Sequence, residues 1–157
     1  MGRDHEDVAI QVYCGIQQRK NVTVFQNGLF ISPEEPFLAA TPDRICYDPS
    51  EENPWGLVEA KAPYKAREMT PTKAAKELKN FCSVVGEDGC LHLKRDHEYF
   101  QQVQGQIALT GANWCDFIIY TKCGLAVERI YFNEKFWTAK VASLLKFYFK
   151  YYQPLLL

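Results

Sequence analysis

The sequence predicts an α/β domain in which a central sheet is flanked by helices. Apolar residues recur at helical spacing near both ends of the chain and in its middle, and short β-rich runs bounded by Gly, Pro and Asn lie between them. With 157 residues, 47% of them hydrophobic, the chain has the size of a single domain, residues 1–157, that buries its own core. The same composition excludes a disordered chain.

The first part of the chain is predicted to form one helix followed by strands. The helix is expected over residues 4–18, with Asp4 as its N-cap and acidic residues in its first turn. Strands are expected at residues 21–25, 29–32 and 55–60. Residues 37–40 and 44–47 are expected to form two more strands, or one bent strand interrupted by Pro42. Asn27 and Gly28 form a strong turn signal, which predicts a hairpin between the first two of these strands.

The second part is predicted to contain three helices and two strands. A helix over 70–81 would begin at the N-cap Thr70, and residues 83–94 are expected to be irregular. A long helix over 96–110, capped by Asp96, precedes strands at 117–121 and 125–132. The final helix is expected to reach residue 152 with these side chains inward: Phe136, Trp137, Val141, Leu144, Leu145, Tyr148 and Phe149.

Charge is distributed unevenly along the chain, although the net charge is only -1. Residues 1–60 carry 4 Lys and Arg against 10 Asp and Glu, whereas residues 61–95 carry 8 against 4. Carboxylates that hold cations beside a basic segment that meets phosphates are typical of a metal-dependent phosphodiester enzyme. An unevenly charged, solvated surface gives the same pattern, and charge alone favours that simpler interpretation.

Cysteine usage and hydropathy predict an intracellular protein, cytoplasmic or nuclear. The six cysteines show no C-x-x-C pair and no zinc-like spacing with histidine, so we expect reduced, mostly buried thiols. The first seven residues are charged, which argues against a secretory signal peptide. No apolar run approaches the roughly 20 residues that a membrane helix needs.

Asp43, Glu59 and Lys61 are the candidates for chemistry. Glu59 and Lys61 are two residues apart in a predicted strand, so their side chains share a face, and an adjacent antiparallel strand would bring Asp43 beside them. Carboxylates in this arrangement suit Mg²⁺, and Lys61 would orient or help deprotonate a water and neutralise charge on the phosphate. The alternative is a surface ion pair beside a turn.

A glutamine-rich helix strengthens the catalytic interpretation. Four glutamines fall within residues 101–106, where a solvent-facing helix would mix in Glu and Lys. Amides this dense are suited to hydrogen bonds with a fixed partner such as phosphate, a base or the lysine, although the polar face of a helix would also explain them.

Five segments match one family in order and spacing: GRDHEDVA (2–9), ATPD (40–43), GLVEAKAP (56–63), YFQQVQGQ (99–106) and CDF (115–117). They resemble the YqaJ-type viral recombinase domain, the phage lambda exonuclease-like branch of the PD-(D/E)XK nuclease superfamily. The resemblance extends from about residue 2 to residue 152. It implies a restriction-endonuclease-like core with a central mixed sheet flanked by helices.

The resemblance also implies a metal centre. Asp43 and Glu59 would be the principal ligands, with the backbone carbonyl of Ala60 completing the shell, and Lys61 would be the catalytic lysine. Glu6 matches the glutamate that helps to hold a second metal. The implied cofactor is Mg²⁺, with Mn²⁺ as a substitute.

Contacts to DNA are expected elsewhere in the site. Gln102 matches a glutamine that helps bind the terminal phosphate, and Thr41 stands where the family often has a serine whose hydroxyl can bond phosphate. In the basic segment 65–79, the lysines expected to contact the DNA backbone are Lys73, Lys76 and Lys79.

The implied function is a Mg²⁺-dependent deoxyribonuclease, a 5′→3′ exonuclease that resects duplex DNA ends for recombination or repair. The alternatives are an endonuclease or structure-specific nuclease on the same core, and a catalytically inactive DNA- or protein-binding module. The implied partners are duplex DNA ends, a single-strand annealing recombinase and other copies of the chain in a homo-oligomer. In relatives, according to the resemblance, sequence upstream of the helix that contains Glu6 forms part of the DNA channel. This chain starts at that helix, so we expect an excised or minimal domain.

Overall fold

Four α-helices and nine strands make up residues 2–156, the part of the chain whose backbone this computed structural model describes; side chains are described from His5 to Leu156. The helices are α1 (Gly2–Gln18), α2 (Pro71–Glu77), α3 (Glu98–Thr110) and α4 (Glu134–Phe147). The strands are β1 (Thr23–Phe25), β2 (Phe30–Ile31), β3 (Ala39–Ala40), β4 (Arg44–Tyr47), β5 (Trp55–Lys61), β6 (Ser83–Val85), β7 (Leu91–Leu93), β8 (Trp114–Thr121) and β9 (Gly124–Tyr131).

Five strands form one mixed sheet in the order β1-β4-β5-β8-β9. β5 and β8 run parallel, with Lys61 opposite Ile119, and the other neighbours in this sheet are antiparallel. Parallel neighbours need a long crossover, and the connection from β5 to β8 contains α2, the β6–β7 hairpin and α3. The predicted mixed sheet flanked by helices is confirmed.

Helices cover both faces of β5, which is buried along most of its length. Leu57 packs in the core on the side of α3, next to residues such as Val103. Its neighbours Val58 and Ala60 point the other way and pack against α1, where Tyr13 is fully buried. This alternation fixes the direction of every later side chain on the strand.

The N-terminal predictions need two corrections. α1 begins at Gly2, so Asp4 lies within the helix and does not cap it, and the Asp4 side chain is outside the described residues. The predicted Asn27-Gly28 hairpin is wrong, because β1 pairs with β4 and β2 pairs with β3. Gly28 does not adopt the positive φ that such a turn requires, and the Asn27 amide donates instead to the carbonyl of Pro42.

The region predicted to be irregular, residues 83–94, is a hairpin of β6 and β7. The two strands are short, and the turn residues between them favoured the prediction of an irregular segment over that of a hairpin. Thr70 caps α2 as predicted, by accepting a hydrogen bond from the backbone N–H of Lys73, but this helix ends at Glu77, earlier than expected.

The predicted N-cap Asp96 is also wrong. His97 occupies the cap position of α3, and its ring Nδ1 accepts the backbone N–H of Tyr99 at 3.1 Å. A histidine nitrogen thus replaces the carboxylate oxygen expected there.

The C-terminal helix is less buried than predicted. α4 ends at Phe147 and continues as a π-helical turn, Tyr148–Tyr152. None of the described residues of α4 is fully buried, and Phe149, expected inward, is 51% exposed. α4 packs on α3, at a distance from the sheet, so only part of its apolar face is covered.

Two further observations concern the whole described chain. No helix in residues 2–156 combines the length and apolar character needed to cross a membrane. All six cysteines are free thiols, three of them buried, at Cys46, Cys82 and Cys115.

Candidate active site

The ends of β4 and β5 bring Asp43 and Glu59 together. The antiparallel register pairs Arg44 with Val58, and β4 begins at Arg44, so Asp43 lies just beyond the last pair. Its Oδ2 accepts the backbone N–H of Ala60 at 2.8 Å, in place of a strand partner. The predicted antiparallel adjacency of these two strands is confirmed.

Glu59 lies at the centre of the site and is only 3% exposed. Its Oε1 accepts hydrogen bonds from Lys61 Nζ at 2.6 Å and from Gln102 Nε2 at 2.7 Å. Its Oε2 accepts from Gln106 Nε2 at 2.9 Å. The strand alternation that buries Leu57 toward α3 sends Glu59 to the same side, where these amides meet it.

Gln106 is a site residue that the sequence reasoning missed. It lies four positions after Gln102 on α3, and residues at this spacing share one helix face. That spacing within the glutamine-rich run was the available signal. Gln104 points elsewhere and holds the junction between β9 and α4, donating to the carbonyl of Tyr131 and accepting the N–H of Asn133.

The electrostatics of the site show two carboxylates with one nearby cation. Burial and then the charge of Glu59 raise the pKa of Asp43 to about 6, against the opposing effects of the Ala60 N–H and of Lys61. Burial would lower the pKa of Lys61, but the charge and hydrogen bond of Glu59 outweigh it and raise that pKa. Lys61 therefore carries its positive charge, and its ammonium also lies 4.8 Å from the ring centroid of Tyr99.

Glu6, on α1, lies near Asp43. It lines a cavity of about 180 Å³ together with Asp43 and Arg44, and its charge adds to the raised pKa of Asp43. Among residues 5–156, no group of three or more His, Cys, Asp or Glu side chains is arranged to hold a metal ion. The assignment of Glu6 to a second metal stays a prediction.

Thr41 and Gln102 line one cavity of about 300 Å³ between β3, α3 and α4. Gln106 and Trp137 line it too, so the cavity adjoins the carboxylate of Glu59 through the amides of α3. The predicted phosphate-binding pair is thus brought together beside the candidate catalytic residues.

The three predicted DNA-binding lysines of the basic segment lie on the surface. Lys73, Lys76 and Lys79 are exposed, and Lys73 Nζ is 3.9 Å from Glu77 on the same helix. They line none of the cavities at the carboxylates, so their contact with DNA stays a prediction.

The oxygen atoms at the site suit a hard divalent cation. A carboxylate offers roughly four acceptor positions, and Glu59 uses three of them while one N–H occupies Asp43 Oδ2. Magnesium is usually held by one or two carboxylates plus waters and phosphate oxygens. Asp43 and Glu59 therefore suit such an ion, and the Ala60 carbonyl as a further ligand stays a prediction.

Two solved structures share this fold. Both are crystal structures of LHK-Exo, an alkaline exonuclease from Laribacter hongkongensis, one of them in complex with dAMP. They match with TM-scores of 0.62 and 0.61 and 24% sequence identity over 90% of this chain. The chain spans 61% of the length of that exonuclease.

Sequence comparison assigns the family. A search of curated proteins found no match. The sequence model of the YqaJ-like viral recombinase domain matches residues 1–113, well over half of the chain and including every candidate residue from Glu6 to Gln102. The chain therefore belongs to the YqaJ-like viral recombinase domain family.

Proposed function

We propose that the chain is a Mg²⁺-dependent deoxyribonuclease that degrades one strand of duplex DNA from its end in the 5′→3′ direction. The observation that carries this proposal is the buried Glu59, held by Lys61 and two amides beside a second carboxylate, Asp43. The family assignment and the fold shared with an alkaline exonuclease support it.

Asp43, Glu59 and the Ala60 carbonyl would hold the cation. When bound, the cation neutralises charge on the scissile phosphate and activates water as a nucleophile. Gln102 and Gln106 hold the Glu59 carboxylate in a fixed orientation, because each donates an N–H to one of its oxygens. Lys61 keeps a positive charge next to the position of the phosphate, where negative charge develops during hydrolysis.

Recognition of the strand end is assigned to the cavity of Thr41 and Gln102. A hydroxyl and an amide N–H at this point would donate to a terminal 5′-phosphate and set the direction of degradation. The single strand left behind would be the substrate of an annealing recombinase. We also propose that the chain assembles into a homo-oligomer.

Digestion of matched DNA substrates tests this function. We expect Mg²⁺-dependent loss of linear duplex carrying 5′-phosphates, slower loss with 5′-hydroxyl ends, and resistance of covalently closed circles. Asp43→Asn should stop cleavage, because the cation loses a charged ligand while the acceptor for the Ala60 N–H is kept. Asp96→Asn is the matched control, since Asp96 is exposed and outside the site.

The alternatives give different results. Cutting of closed circles as fast as linear DNA would assign an endonuclease. DNA binding without cleavage in Mg²⁺ or Mn²⁺ would assign an inactive binding module. Equal rates for wild type and Asp43→Asn would disprove the proposed metal site.

A further inference from the structure

A cavity of about 330 Å³ lies where the parallel strands β5 and β8 end. Ala62 and Pro63 follow the last residue of β5 and form one wall, while Tyr120 at the end of β8 forms another. In α/β sheets, ligands bind outside the carboxyl ends of parallel strands. This cavity therefore occupies a favoured position for a ligand, directly after Lys61 along the chain.

The rim of the cavity combines an exposed aromatic ring with cations. Tyr64 is 64% exposed, and the Arg67 guanidinium lies 3.9 Å from the centroid of its ring. Lys122 contributes a second cation to the lining, and both cations lie near the carboxylate of Glu68, at 2.6 Å from Lys122 Nζ and 3.9 Å from Arg67 Nε. Lys65, next to Tyr64 in the sequence, is exposed and adds a third positive charge to this segment.

Hydrogen bonds within the protein hold these groups in place. Arg67 Nη1 donates to the carbonyl of Tyr64 at 3.0 Å, which fixes the guanidinium over the ring. The backbone N–H of Lys122 donates to the carbonyl of Arg67 at 3.0 Å and ties the β8–β9 turn to this segment. The cavity is thus preformed, which lowers the entropic cost of binding.

We propose that this cavity binds one unpaired nucleotide of a single-stranded DNA end, with the base stacked on Tyr64 and the phosphate near Arg67 and Lys122. The proposal rests on the proposed function, which creates or meets single strands at duplex ends. Aromatic rings that stack bases and cations that track the backbone are the two parts of single-strand recognition. An exposed tyrosine with a positively charged rim at the end of β5 supplies both.

Binding of duplexes with a single-stranded overhang tests the proposal. The probes are a blunt duplex and the same duplex with a 3′ or a 5′ overhang containing 2-aminopurine, titrated in EDTA so that no cleavage occurs. Tyr64→Ala should weaken binding to one of the overhang duplexes by about fivefold or more and relieve the quenching of its 2-aminopurine. Blunt-duplex affinity should change less than about twofold, and Tyr64→Phe should keep the wild-type behaviour, because the phenyl ring still stacks.

Tyr151→Ala is the matched control. Tyr151 is also exposed and has the Lys150 ammonium 4.9 Å from its ring centroid, but it lies in the C-terminal π-helical turn and does not line the cavity. Tyr64 is exposed as well, so neither replacement should unfold the domain.

The outcomes separate the cavity from the nuclease site. If wild type digests linear duplex but Tyr64→Ala and Tyr151→Ala bind overhangs as wild type does, the cavity assignment is overturned and the nuclease proposal stands. If wild type fails to digest DNA but Tyr64→Ala alone loses overhang binding, the nuclease proposal fails and the cavity assignment holds. Tight binding of a polyglutamate peptide that depends on Tyr64 would overturn the assignment in favour of an acidic protein partner.

Discussion

Two buried carboxylates on adjacent strands of the sheet show how one fold treats similar groups differently. Glu59 on β5 faces α3, and Asp116 on β8 lies beside Val58 and faces α1. Both are nearly inaccessible to solvent, at 3% and 1% exposure. They differ in the charges around them.

Asp116 is saturated by charge-assisted and neutral hydrogen bonds. Arg129 donates to both of its oxygens, from Nε at 2.8 Å and from Nη2 at 2.9 Å, and the hydroxyl of Tyr13 donates to Oδ2. The remaining Nη1 of Arg129 reaches Asp48 at 2.7 Å and Glu51 at 2.9 Å. A bidentate arginine of this kind fixes geometry and neutralises charge at once.

Glu59 is held by one lysine and two neutral amides, with a second carboxylate close by. Its surroundings fix its orientation and leave an excess of negative charge at the C-terminal end of the central strand, β5. The comparison teaches that burial alone does not mark a functional carboxylate. The informative feature is incomplete compensation of charge next to cavities that Asp43 and Gln106 line.

The largest expected change in stability comes from removing the arginine that neutralises Asp116. Arg129→Met leaves Asp116 buried with Tyr13 as its remaining partner and should lower the free energy of unfolding by about 3–5 kcal/mol. Urea denaturation measures the change. Arg19→Met, at an exposed arginine, should stay within about 0.5 kcal/mol of wild type. Equal stability of the two variants would contradict a structural role for the Arg129 network.

Glu59→Gln should show the opposite balance between stability and activity. Cleavage should fall by about 100-fold or more, because the carboxylate charge is lost. The free energy of unfolding should fall by only about 1–3 kcal/mol, since Lys61 loses its partner while the packing is kept.

Glu128→Gln is the control for that variant. Glu128 accepts hydrogen bonds from the backbone N–H of Leu93 and from Arg95, away from the site. A similar stability loss with normal cleavage is expected there. Normal cleavage by Glu59→Gln itself would remove Glu59 from the chemistry.

Gln106→Met tests the positioning of Glu59. It removes the donor to Glu59 Oε2 and also removes Gln106 Oε1, a buried acceptor without a partner in the described structure, so stability should change little. Cleavage should fall about tenfold, and the Mg²⁺ concentration for half-maximal rate should rise. Gln18→Met, at an exposed glutamine of α1 that lines neither cavity at the site, should leave both unchanged. An unchanged Mg²⁺ requirement in Gln106→Met would show that this amide does not position the ligand.

Asp43 and Asp48 should contribute to stability with opposite dependence on pH. The pKa of Asp43 is raised to about 6, above that of an unfolded aspartate, so its contribution is fully present below about pH 4 and lost as the pH rises through about 6. Burial alone would raise the pKa of Asp48, but hydrogen bonds from Ser50 and Arg129 lower it. The contribution of Asp48 is therefore present above about pH 4 and lost in stronger acid.

Melting curves in EDTA between about pH 4 and pH 7 measure the effect of Asp43. Wild type should lose stability relative to Asp43→Asn across this range, and Mg²⁺ should reduce the difference by neutralising the carboxylates. Parallel curves for the two proteins would show that Asp43 is not coupled to Glu59 as its raised pKa implies.

Local patterns predicted much of this architecture. The two-residue period placed Glu59 and Lys61 on one face, and the short connection between β4 and β5 made their antiparallel pairing the expected outcome. The roles of these residues come from the family resemblance and stay predictions until cleavage is measured.

Long-range pairing accounts for what the sequence did not predict. The Asn27-Gly28 signal describes only local turn geometry, whereas β1 gains a partner, β4, about twenty residues away and joins the main sheet. Gln106 was missed for the same reason, because its partner Glu59 is 47 positions away on another element.

The overhang of β5 beyond β4 has a consequence for solubility. Within the described chain, Glu59, Ala60 and Lys61 have a strand neighbour only on the β8 side, which makes them a short open edge inside a sheet. Open edges recruit strands from other molecules, and charged side chains and covered backbone donors prevent this. Asp43 covers the Ala60 N–H, and the charges of its neighbours repel an incoming strand. The carboxylates that suit a cation thus also protect the domain from aggregation at the place where its sheet is left incomplete.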